Sequence, residues 1–211
     1  MSTYKLPDLH NFIFPENENF SINSDETLFT IFFNNDMNIE TFADVEQYSK
    51  VWDKILGSFL ILTGNETDAI LIQAYSSKQA FFTVKLPLNS GLCFAGAIID
   101  ILTTYKKLVE IRKLKVDIQK LDLSEHLLDE LEQEMMNIVD NTTAKTIERI
   151  INDSNIRFNN ADEIFTESQY SLKMALSFIE KGGVVLFNKG NNAELNNLSD
   201  SISNLLAEIY K

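Results

Sequence analysis

NSGLCFAGAIIDILTTYKKLVEIRKLKVDIQK, residues 89–120, followed by LDLSEHLLDELEQEMMNIVDNTTAKTIERIINDS, residues 121–154, is the stretch that decides the fold. It opens on a turn of small residues, Asn89-Ser90-Gly91, and then keeps to a helical period. Ile98, Ile101, Leu102, Tyr105, Leu108, Val109, Ile111 and Val116 recur at steps that put them along one side of a helix. The pattern breaks at Leu121-Asp122-Leu123-Ser124 and resumes with Leu127, Leu128, Leu131, Met135, Ile138, Val139, Ile147, Ile150 and Ile151. Ser124 is the expected N-cap of this second arm, with Glu125 favourable in its first turn. The spacing therefore predicts an antiparallel helical hairpin over residues 91–153. Small residues at its start (Gly91, Cys93, Ala95, Gly96, Ala97) allow close approach to a sheet or to another helix.

Charge is segregated between the arms. Residues 105–120 carry Lys106, Lys107, Arg112, Lys113, Lys115 and Lys120 against Glu110 and Asp117, a net of +4. Residues 121–140 carry Asp122, Glu125, Asp129, Glu130, Glu132, Glu134 and Asp140 with no Lys or Arg, a net of −7. Folded back on each other, the arms are expected to lie basic against acidic. Exposed ion pairs each contribute only about 0.2–1 kcal/mol, so such charges select register and partner rather than supply stability. Lys106, Lys107, Arg112 and Lys113 are candidate interaction residues. A nucleic-acid role for them is disfavoured by the acidic arm next to them.

Toward the amino terminus the period changes. Residues 1–26 hold turn chemistry around Pro7, Pro15 and two Asn/Glu-rich clusters, with a short apolar piece at 10–14. Residues 27–33, TLFTIFF, read as a strand, and residues 41–62 as an amphipathic helix stopping before Gly64. Strand-like runs at 69–75 and 80–86 flank the polar link 76–79, and Pro87 closes the second. Phe32 adjoins Phe33 and Phe81 adjoins Phe82, so one of each pair must face away from the other. Either helices or something else covers both faces of the sheet, or one face is an exposed aromatic surface.

After the hairpin, a helix is expected over 161–181, stopped by Gly182-Gly183. Residues 184–187, VVLF, fit either a strand at the sheet edge or a loop. A last helix over 193–210 carries Leu195, Leu198, Ile202, Leu205 and Ile209, the spacing of a heptad seam. That seam can pair with a partner or dock on the chain's own hairpin. The resulting class is α+β: a small antiparallel sheet with a packed helix, a long helical hairpin, and further C-terminal helices. Its units are 1–88 and 89–211, or one continuous domain.

Composition narrows the function. In 211 residues the formal net charge is −13, which opposes binding to nucleic acids and to anionic membranes. The longest weakly polar run, Gly91 to Ile99, is far short of the roughly 20 residues that cross a bilayer. With one cysteine, Cys93, no intrachain disulfide is possible, and with no basic-then-apolar leader the expectation is a cytoplasmic protein. His10 and His126 stand alone, so no metal site and no nucleophile–histidine pair can be assembled from local spacing. Asp100 lies in an apolar run but fits the polar stripe of its helix. Asn89, Ser90 and Gly91, at a helix start, are the candidate ligand-binding residues, for an anion or nucleotide. They lack the spacing of a phosphate-binding loop, and capping by Asn89 or Ser90 explains them more simply. The reading is a non-enzymatic protein-interaction module, without cofactor, of the adaptor, regulator or immunity type. Its expected partners are a protein, basic ones included, and further copies of itself; the alternative is a small-ligand sensor or enzyme using the helix start.

Overall fold

The computed structural model describes residues 23–34, 37, 39–65, 69–75, 80–121 and 125–210. The expected strand at 10–14, His10, the link 76–79 and the Ser124 cap lie outside them. The element order is β1 (Glu26–Phe32), α1 (Phe42–Leu62), β2 (Ile70–Tyr75), β3 (Phe81–Pro87) and α2 (Leu88–Lys120). It continues with α3 (Glu125–Ser154), α4 (Ala161–Glu180), β4 (Val184–Phe187) and α5 (Ala193–Ile209). The class is α+β, as the sequence pattern predicts.

The four strands form one antiparallel sheet in the order β2-β3-β1-β4. The run 184–187 is thus a strand, with Phe187 opposite Phe29 and the Asn188 N–H donating to the Leu28 carbonyl. Alternation along β1 sends Phe29 and Ile31 to the face on which the helices pack, and Leu28 and Thr30 to the other. Both faces are closed: Leu28, Thr30, Thr83 and Val184 are buried as thoroughly as Phe29 and Phe82. Phe32 and Phe81, half-buried on the second face, pair across strands at 5.9 Å. An exposed aromatic face is therefore absent from the described sheet.

Helix ends follow local chemistry. Thr41 and Asp44 make a reciprocal capping box at the start of α1. Its far end, and that of α4, close with a glycine in the left-handed region, Gly64 (φ 67) and Gly182 (φ 87). In both, the next residue's N–H reaches back to a carbonyl of the last turn, Asn65 to Leu60 and Gly183 to Phe178. The start of α2 departs from expectation. It begins at Leu88, three residues early, and its cap is Pro87, which has no capping hydrogen bond. Proline fixes φ near the helical value and has no N–H to leave unsatisfied, so β3 runs into α2 without a loop.

Residues from before and after position 88 build one apolar core. Phe94 of α2 is its hub, 5.2 Å from the Phe29 ring, 5.0 Å from Phe59, 5.7 Å from Phe187 and 6.3 Å from Trp52. Gly91, one turn earlier, makes this reach possible. A Cβ built there would lie 2.0 Å from Thr27 Cγ2, so only glycine lets α2 sit so close to β1. Gly91→Ala is expected to cost about 2–3 kcal/mol in chemical denaturation, and Thr27→Ser, which removes the obstructing methyl, to recover part of that loss. Additive effects in the double mutant would show that the contact does not set the helix position.

Candidate interaction surface

The α2 start places Asn89, Ser90 and Gly91 against the end of α1. Ser90 is fully buried. Its hydroxyl lies 2.6 Å from Thr63 Oγ1 and accepts from Asn65 Nδ2 at 2.7 Å. Because Thr63 Oγ1 donates to the Phe59 carbonyl at 2.7 Å, Ser90 is the donor to Thr63. Asn89 Oδ1 accepts from the Ser90 N–H and from Asn65, while the Leu88 N–H donates to the Asp25 carbonyl. The N–H groups of Leu88 and Ser90 and the Ser90 hydroxyl are thus engaged by the chain itself. Ser90→Ala is expected to cost about 1–2 kcal/mol. Ser90→Asp, which buries a carboxylate, is expected to cost about 3–5 kcal/mol; wild-type stability of Ser90→Asp would show that this helix start is open to a charged group.

Other residues singled out for chemistry are dispersed. Asp100 accepts from Thr146 Oγ1 and from the Arg149 guanidinium, tying α2 to α3. His126 is exposed beside Glu130 on the same helix. Burial pushes the half-buried Cys93 thiol up, away from the thiolate form that reacts. Among the described residues no group of His, Cys, Asp and Glu could hold a metal ion, and no helix is long and apolar enough to cross a membrane.

The two helical candidates separate. Leu195 and Ile202 of the α5 seam are buried, and Leu198, Leu205 and Ile209 pack half-buried on the same core. Within the chain, the seam serves to dock α5 on the hairpin. The basic arm also divides its charges differently from the simple side-by-side expectation. Lys106 pairs with Glu208 of α5 and Arg112 with Glu180 of α4, while among the described residues Lys115 is the one that pairs across to the acidic arm, with Glu132. Asp140 turns to Lys173 of α4. Lys107 and Lys113 are in no ion pair among the described residues.

Among the described residues, what remains unaccompanied is the distal half of the hairpin. The last buried residue of α2 is Leu108, and the first of α3 is Thr143. At 1.5 Å per residue, α2 continues for roughly 18 Å beyond Leu108. Along it Ile111 and Ile118 are half-buried with Lys115, whose ion pair marks the side toward α3, as are Leu128, Leu131, Met135 and Ile138 of α3; Leu114 and Leu121, seven residues apart, fall outside that seam. Leu114 is 56% exposed, Leu121 69%, Leu127 41% and Met136 54%. Leu114 and Leu121 did not belong to the single apolar face read from the sequence. Their signal was present, since 105–121 holds more apolar positions than one seam can take. No family model matches the chain, and neither a curated protein nor a solved structure matches it.

Proposed function

We propose that the chain is a non-enzymatic protein-interaction module, an adaptor, regulator or immunity-type partner, that engages its target through the distal hairpin of α2 and α3. One observation carries this reading: the distal hairpin leaves Leu114, Leu121, Leu127 and Met136 exposed on its two helices, while the α5 seam is spent on the chain's own core. Exposed apolar residues clustered on a projecting element are characteristic of contact surfaces. A small ligand at Asn89–Gly91 is the weaker reading, because it would have to displace the Thr63–Asn65–Ser90 network.

The test compares proteins that co-purify with the wild type and with Leu114→Ser/Leu121→Ser/Leu127→Ser. These side chains are exposed, so stability should shift by only about 0.5 kcal/mol for each substitution. A partner retained by the wild type and depleted at least about tenfold by the triple variant is expected. The same partners at the same yield with both proteins would contradict the proposal.

A further inference from the structure

Resting on that reading, we infer that the occupant of the distal hairpin is a second copy of this chain, joined about a two-fold axis into a four-helix arrangement. The surface is built for self-complementarity. The Lys115–Glu132 ion pair sets the two arms in register, which levels Lys113 with Glu134. A two-fold axis parallel to the hairpin keeps that level and places the basic arm of each copy beside the acidic arm of the other. Lys113 and Glu134 are in no ion pair among the described residues. They are therefore free to pair between copies. In the same arrangement Leu114 and Leu121 of one copy meet those of the other, covering side chains that a lone hairpin leaves exposed. Segregating the signs onto two arms fits this geometry, since each arm then has neighbours of opposite sign on both sides.

The experiment is sedimentation equilibrium on the full chain at about 0.1 mM, a concentration that populates a micromolar dimer. A dimer is expected for the wild type. Lys113→Glu and Glu134→Lys should each weaken it at least about tenfold, and an equimolar mixture of the two variants should restore a heterodimer. A monomeric wild type would overturn the second copy as occupant and leave the hairpin surface to another protein. A dimer that also survives unchanged in Leu114→Ser/Leu121→Ser would overturn both this inference and the role of the hairpin. Charge variants that dimerise as the wild type does, or a mixture without recovery, would equally overturn the two-fold pairing.

Discussion

The close approach of α2 to β1 is the constraint on which the remaining structure depends. A glycine at 91, seated on Thr27, brings the helix down far enough for Phe94 to enter the ring cluster of Phe29, Phe59, Trp52 and Phe187. Those rings come from β1, α1 and β4, so one side chain ties together pieces distant in sequence. The pairing of β4 with β1 then fixes where α5 begins, and Ser199 Oγ, donating to the Phe187 carbonyl, fastens that helix to the strand before it. Packing of this density accounts for stability in a chain whose ion pairs are mostly exposed.

The consequence is a helix held at one end. From Ser90 to Leu108, α2 buries residues in the core; beyond that, among the described residues, its ion pairs to other elements are Arg112 with Glu180 of α4 and Lys115 with Glu132 of α3. Arg112 with Glu180 and Asp140 with Lys173 mark the last points at which the hairpin is tied to α4. Farther out, Leu114 and Leu121 of α2 and Leu127 and Met136 of α3 stay exposed. Exposed leucines in a heptad row have a physical cost in water, and contact with another protein removes it.

Much of the fold was legible because its signals are local. The strand 27–33, the helix stopping before Gly64 and the Gly182-Gly183 terminus all follow from turn chemistry and period, and all are observed within a residue or two. The α2 start was misread because a proline after a strand looks like a terminator, whereas here it serves as the cap of the next helix. The edge strand β4 was ambiguous since four apolar residues acquire a structure only from the neighbour they pair with. Charge pairing was the least legible feature. Composition placed the basic arm beside the acidic one, but Lys106 and Arg112 find their acids on α5 and α4, partners that no local spacing reveals. For the same reason the exposure of Leu114 and Leu121 was hidden: a heptad row shows that a seam exists, not whether the chain itself can fill it.

The central claim is that the hairpin is anchored proximally and unsupported distally. Hydrogen exchange read residue by residue, in solution dilute enough to keep copies apart, tests it most directly. The account predicts strong protection of the helical amides around Phe94 and Ile147, and much faster exchange through local opening in 113–121 and 125–139. Equal protection along the whole length of α2 and α3 would contradict it.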